Sequence, residues 1–248
     1  MNKVDKNKAQ LQEMYPFLHS KKQDPISMNS ALLESVNQKY SHHKTVMQAF
    51  VEANAQAIID LANTVAKVYL NDGQLFTMGC GGSSSDASHI AVEFLHPVTT
   101  GRPALAAYDL TADKTLSTAI SNDVGFDHVF TRQVDVLMKP RDMLIGISTS
   151  GNSQSIIRAF KQAQKKGALT FALLGSDGGE VKTMGLDHCL VVESDSIHRI
   201  QECHVFVYHV LWDLVHTLLA DERGNLQATT TQAKTTTQAK TTTQANQV

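Results

Sequence analysis

Two runs that are apolar at every position, Leu144-Ile145-Gly146-Ile147 and Phe171-Ala172-Leu173-Leu174, most constrain how this chain can fold. A strand with one wet face alternates apolar and polar residues, whereas an unbroken apolar run needs cover on both faces. The chain supplies that cover locally. Strand candidates at 74–79, 104–108, 142–148, 168–174 and 188–193 alternate with helical patterns at about 84–96, 113–121, 126–138, 153–166, 178–185 and 198–220. Such alternation predicts βαβ units, and hence an α/β fold with a parallel sheet between two helical layers. A separate helical pattern runs from Ser30 to about Leu70. Its Val46, Phe50, Ala53, Ile58, Leu61, Val65 and Val68 recur at helical spacing until Asn71-Asp72-Gly73 stops them.

The flanks are different. Residues 1–28 read as a polar lead, either loosely packed or a short helix, before a domain over 29–222. In 223–248 a Thr-Thr-Thr-Gln-Ala-Lys unit repeats every six residues. Such a tail has almost no apolar side chains to bury and is expected to be disordered. Over 248 residues, 42% hydrophobic content is enough for one well-buried domain. A net charge of −2 gives no basic excess for nucleic acid, and no apolar run approaches a membrane span. Cys80, Cys189 and Cys203 show no paired spacing, which with the absence of a signal-peptide core near Met1 implies the cytoplasm.

Two turns concentrate hydroxyls and glycines where strands hand over to helices. Ser148-Thr149-Ser150-Gly151-Asn152-Ser153 follows the 142–148 strand, and Gly79-Cys80-Gly81-Gly82-Ser83-Ser84-Ser85-Asp86 follows the 74–79 strand. The first N–H groups of a helix lack partners, and the helix dipole favours an anion there. Serine and threonine add donors without charge, which suits a phosphate monoester that must be held and released. One such turn is equally a Ser-capped loop. Two of them suggest a single ligand in the crevice above a parallel sheet. Neither turn is a dinucleotide fingerprint or a P-loop, because position 84 is Ser and no Lys-Ser/Thr pair closes the run.

The helix after the first turn carries His89 and Glu93, four residues apart and on one face. That pair suits two metal ligands, a base with its orienting partner, or an ordinary surface pair. The last helical pattern carries Gln201, Glu202, His204, His209 and His216 among apolar residues. Each polar group there needs a partner if buried. Gln201 and His209 lie about 12 Å apart along an ideal helix and about 80° around it, so one ligand meets both only from opposite ends or through neighbouring subunits.

Together these motifs resemble the sugar isomerase (SIS) domain and, within it, the phosphoheptose isomerase family. The resemblance spans about residues 45–220. It rests on Gly79-Cys80-Gly81-Gly82-Ser83, His89-Ile90-Ala91-Val92-Glu93, Arg102-Pro103-Ala104, Ser121 to Phe126, Gly146 to Ser153, Asp177-Gly178-Gly179 and Arg199-Ile200-Gln201-Glu202. It implies a three-layer αβα sandwich on a five-stranded parallel sheet, with N-terminal helices packing in a homotetramer whose active sites lie at subunit interfaces. It also implies aldose–ketose isomerisation of a phosphosugar, sedoheptulose 7-phosphate, through an enediol. By the same resemblance Glu93 and His209 are catalytic, and Ser83, Ser148, Thr149, Ser150 and Ser153 bind phosphate. Asp123 and Gln201 contact substrate, and His89, Glu93, Gln201 and His209 are the zinc ligands of metal-containing members.

Three positions depart from the family pattern. Cys80 stands where members usually have Asn, Pro97 replaces an Arg four residues after the glutamate, and His198 replaces an Asp just before Arg-Ile-Gln. The reaction type is therefore better supported than the particular sugar. Two other readings remain open. One is a non-catalytic SIS protein that binds a sugar phosphate or a protein partner, and the other is an isomerase of another phosphosugar. Retention of Glu93 and His209 favours an enzyme.

Overall fold

The computed structural model describes residues 25–220; the repeat tail and most of the polar lead lie outside the described residues. Two compact units divide the chain, Met1–Thr45 and Val46–Val248. Helix α1, Pro25–Leu70, opens the described chain. It starts five residues before the predicted Ser30, with Pro25 at the first helical position, where a missing N–H costs nothing. Within the first unit α1 presents Leu32, Leu33, Val36 and Tyr40 to solvent, each 58–64% exposed.

The second unit is built on five strands: β1 Leu75–Gly79, β2 Ala107–Asp109, β3 Met143–Ser148, β4 Leu169–Gly175 and β5 His188–Val192. They form one sheet in the order β2-β1-β3-β4-β5, and every pairing is parallel. Helices α2 (Gly82–Leu95), α3 (Lys114–Asp123), α4 (Thr131–Leu137), α5 (Gln154–Lys166), α6 (Gly179–Lys182) and α7 (Ile197–Ala220) connect and cover the strands.

The core is double, as unbroken apolar strands require. Leu75, Met143, Ile145, Ile147, Phe171 and Leu173 face residues of α1, α2 and α7, including Leu61, Val65, Ile90, Phe94, Val207 and Leu211. On the other face Phe76, Met78, Leu144, Ala172 and Leu174 meet Phe130, Val134, Ile156 and Phe160. Gly146 lets the second layer approach closely, since a Cβ there would lie 2.5 Å from the Phe160 ring. Helix α7 has the length and apolar content of a membrane span, but its apolar face is core: Ile200, Cys203, Val207, Leu211 and Val215 are buried against the sheet layer.

Three elements are shorter than their sequence patterns predict. The predicted 104–108 strand is paired only over Ala107–Asp109, because the Leu105 N–H turns away to the Phe94 carbonyl at 2.8 Å. The predicted 126–138 helix splits into a 3₁₀ turn at Phe126–His128 and α4, which lets Val129 and Phe130 both enter the core between them. The predicted 178–185 helix shrinks to Gly179–Lys182, bounded by left-handed glycines at Gly178 and Gly185.

His204 fixes α7 against β4. It is fully buried, its Nε2 lies 3.1 Å from the Leu174 carbonyl, and its Nδ1 has no partner. Burial pulls the imidazole pKa down to about 4. A free histidine titrates near 6.5, so the unfolded chain binds the extra proton first as pH falls. Stability is then lost from about pH 6.5 downward to about pH 4, with a ceiling near 3 kcal/mol at 1.36 kcal/mol per unit. Denaturant unfolding across that range should show a shallower acid decline for His204→Gln than for the parent chain; equal slopes would remove His204 as the cause.

Candidate active site

Strand order places the two Ser/Gly turns side by side. β1 and β3 are neighbours, and the chain winds outward from them in both directions, so the crevice above their C-terminal ends is the switch point of the sheet. α2 starts from the first turn and α5 from the second. Neither first residue is capped by a side chain, since Gly81 has none and the Ser153 hydroxyl makes no capping bond. The start of α5 therefore keeps N–H groups available for an anion, whereas at α2 the Ser83 and Ser84 N–H groups donate to the Cys80 and Gly81 carbonyls at 3.2 and 3.0 Å. The turns also touch each other: Cys80 Sγ lies 3.6 Å from Ser153 Oγ and 3.4 Å from Ser155 Oγ.

A third loop braces the second turn. Gly151 sits in the left-handed region at φ 64°, and its N–H donates to Ser148 Oγ at 3.1 Å. The Val181 N–H donates to the Gly151 carbonyl at 3.0 Å, and the Glu180 N–H donates to Asn152 Oδ1 at 3.0 Å. Gly178 and Gly179 lie directly beneath, with φ of 87° and 53°. This contact accounts for the Asp177-Gly178-Gly179 motif: a Cβ at Gly151 would overlap the Gly178 carbonyl, and one at Gly179 would crowd Ser150. Ser83 and Ser148 are buried in their turns, Thr149 and Ser153 are half-buried, and Ser150 is exposed.

The third group of residues lies along α2 and α7. His89 Nε2 is 3.1 Å from Glu93 Oε1, as the four-residue spacing predicts. His209 reaches them from α7, its ring 5.1 Å from that of His89. Ligand atoms of His89, Glu93 and His209 all lie within 4.8 Å of one another. Two imidazoles and a carboxylate are donors that suit a divalent transition metal. Tyr208, 3% exposed, places its hydroxyl 2.9 Å from His89 Nδ1. Burial raises the Tyr208 pKa, with Asp86 and Glu93 adding to the rise, so this hydroxyl stays protonated. Asp86, one turn before His89, is buried with Oδ2 unpartnered; burial pushes its pKa up to about 6 while His89 opposes the shift.

α2 and α7 run parallel in a single register. Gln201 lies over Gly82, Tyr208 over His89, and Trp212 over Glu93, whose carbonyl accepts from Trp212 Nε1 at 2.8 Å. Gln201 is therefore two helical turns from the His89–Glu93–His209 group within one chain, beside the first Ser/Gly turn. Asp123 also stands apart, exposed at the end of α3 with Asn122 donating to its carboxylate at 2.9 Å. Of the three departures from the family pattern, Cys80 joins the two turns, Pro97 lies just beyond α2, and His198 is exposed on the first turn of α7. Sequence reading did not single out Tyr208 or Trp212. The available signal was a hydroxyl and an indole N–H within an apolar run, each of which needs a partner once buried.

The SIS domain family matches residues 40–175. A phosphoheptose isomerase of Aquifex aeolicus is 40% identical over 190 residues, covering 77% of this chain and 99% of that protein. Solved structures agree. The phosphoheptose isomerase of Neisseria gonorrhoeae is 36% identical with a TM-score of 0.71, covering 75% of this chain and 99% of that one. That of Francisella tularensis is 34% identical with a TM-score of 0.68, covering 74% and 98%. The five-stranded parallel sheet between helical layers, with Ser/Gly turns at its switch point, defines a SIS-domain protein. Within that class the chain belongs to the phosphoheptose isomerase family.

Gly151 is the position where the anion turn is least tolerant. Gly151→Ala adds a side chain at positive φ and against the Gly178 carbonyl, and should cost more than about 1 kcal/mol. Ser150→Ala, on an exposed hydroxyl, should stay within about 0.5 kcal/mol of the parent. Urea unfolding of the two variants checks the contrast.

Proposed function

We propose that this chain converts sedoheptulose 7-phosphate into glycero-manno-heptose 7-phosphate through an enediol. The observation that carries the reading is the His89–Glu93–His209 group, set along α2 from two uncapped, hydroxyl-lined helix N-termini. His89 is seven residues beyond Gly82, about 10 Å along the helix. An open-chain sugar phosphate anchored at the turns extends its reacting carbons toward Glu93.

In this reading Ser83, Ser148, Thr149, Ser150 and Ser153 hold the phosphate with neutral donors. Isomerisation then needs one group to move a carbon-bound proton and another to move the oxygen-bound ones. Glu93 takes the C1 proton from the ketose, leaving the enediol, and returns a proton to C2. His209 transfers the proton between O1 and O2. In the metal-free arrangement His89, held by Tyr208, bonds the Glu93 carboxylate, and Trp212 bonds the Glu93 backbone carbonyl.

His89, Glu93 and His209 would hold the metal, which we assign as Zn²⁺ because two imidazoles and a carboxylate suit it. Zn²⁺ held there would act as a Lewis acid that polarises the substrate carbonyl. A carboxylate has two oxygens, so holding metal and taking a proton are compatible roles for Glu93. Gln201 completes the metal's ligand set only if a neighbouring subunit supplies it, since within one chain it lies over Gly82. A homotetramer with active sites between subunits accommodates this, and also brings Asp123 to the substrate. The exposed Leu32, Leu33, Val36 and Tyr40 on α1 support an assembly that covers them. A cytoplasmic location accords with Cys80, Cys189 and Cys203, which are all free thiols.

Glu93→Gln and His209→Ala should each lower kcat on sedoheptulose 7-phosphate by about 10²–10⁴-fold while KM changes far less. Steady-state kinetics on a panel of C5 to C7 ketose phosphates measures this. Near-parental kcat in either variant would sink the assignment, and faster turnover of another ketose phosphate would move the substrate.

A further inference from the structure

Both ring nitrogens of His89 are engaged, and the two partners are chemically different. Nε2 lies 3.1 Å from Glu93 Oε1, and Nδ1 lies 2.9 Å from the Tyr208 hydroxyl. A neutral imidazole has one N–H and one bare nitrogen. For a neutral ring beside an ionised carboxylate, which can only accept, Nε2 would carry the proton and Nδ1 would accept from Tyr208. A metal held through Nε2 needs that nitrogen bare. The proton then resides on Nδ1, which must donate. A carbonyl or carboxylate beside Nδ1 would serve only the second arrangement, and an N–H group only the first. A hydroxyl serves both, because it donates and accepts.

We propose that Tyr208 is the positioning residue of His89, accepting either tautomer and so holding the ring in place while Nε2 exchanges Glu93 for a metal ion. This rests on the reading that His89, Glu93 and His209 hold a metal. Tyr208 is suited to the role by its fixed position. It is 3% exposed, its ring packs edge-on to His89 at 5.1 Å and to His209 at 4.8 Å, and it directly precedes His209 on α7. One helix thus supplies both a ligand and the support of the opposing ligand. Tyr208 acts only through His89 and does not touch the reacting atoms. Support of this kind is commonly worth 10–100-fold in metal affinity.

The test uses the full chain stripped of metal and titrated with Zn²⁺ against a chromophoric chelator. Tyr208→Phe keeps the ring and removes the hydroxyl. It should bind Zn²⁺ about 10–100-fold more weakly than the parent. His89→Ala should lose the site outright. Parental affinity in Tyr208→Phe, with affinity lost in His89→Ala, overturns the role of Tyr208 and leaves the metal site standing. A parent chain that takes up no Zn²⁺ overturns both. The parent also provides a test without any variant: nitrogen–proton correlation spectra should show His89 protonated on Nε2 before loading and on Nδ1 after it. A tautomer unchanged by loading overturns the proposal.

Discussion

The parallel packing of α2 on α7 in one register is the constraint on which the site depends. Gly82, His89 and Glu93 on one helix face Gln201, Tyr208 and Trp212 on the other at a constant sequence offset. A slip of one residue turns a helix by 100°, which would carry His209 away from His89 and Glu93. The register is held at several heights. Trp212 Nε1 donates to the Glu93 carbonyl, His204 is bonded to the end of β4, and Val207, Leu211 and Val215 are buried between them. Arg102 closes the far end, stacked 4.5 Å over Trp212 and paired with Asp213 at 2.5 Å.

The sheet contributes the other half of the site. Because β1 and β3 are adjacent, two turns far apart in sequence open into one crevice, and each is followed by a helix with an uncapped N-terminus. The segment after Asp177-Gly178-Gly179 holds the second turn from below, Val181 N–H donating to the Gly151 carbonyl and Glu180 N–H to Asn152 Oδ1. The geometry of the second turn is thus fixed by the fold itself. In the proposed reading the turns anchor one end of the sugar phosphate, and the helix register sets where a carboxylate and two imidazoles stand relative to it.

Much of this was legible in the sequence, and for identifiable reasons. β3 and β4 were visible because burial on both faces demands unbroken apolar runs, and the Ser/Gly turns because helix starts and strand ends leave a chemical mark. His89 and Glu93 were visible because four-residue spacing is a local property. Position 209 came from the resemblance, since nothing local to α7 says which of its histidines faces α2. His204 and His216 occupy the same helix yet are buried against backbone carbonyls of Leu174, Trp212 and Pro103. Tyr208 was missed for the same reason: its meaning lies in a contact between elements more than a hundred residues apart. The shortened β2 and the split 126–138 segment also reflect tertiary choices, a backbone bond to α2 in one case and burial of two side chains in the other.

The central claim is that the α2–α7 group takes a proton from a carbon of a sugar anchored at the turns. Incubating the metal-loaded protein with sedoheptulose 7-phosphate in D₂O, and following the sugar by NMR, tests it most directly. The account predicts conversion to an aldose 7-phosphate, with deuterium at C2 in proportion to how far the proton on Glu93 exchanges with solvent before it is returned. Ligand that binds but is never converted would contradict it.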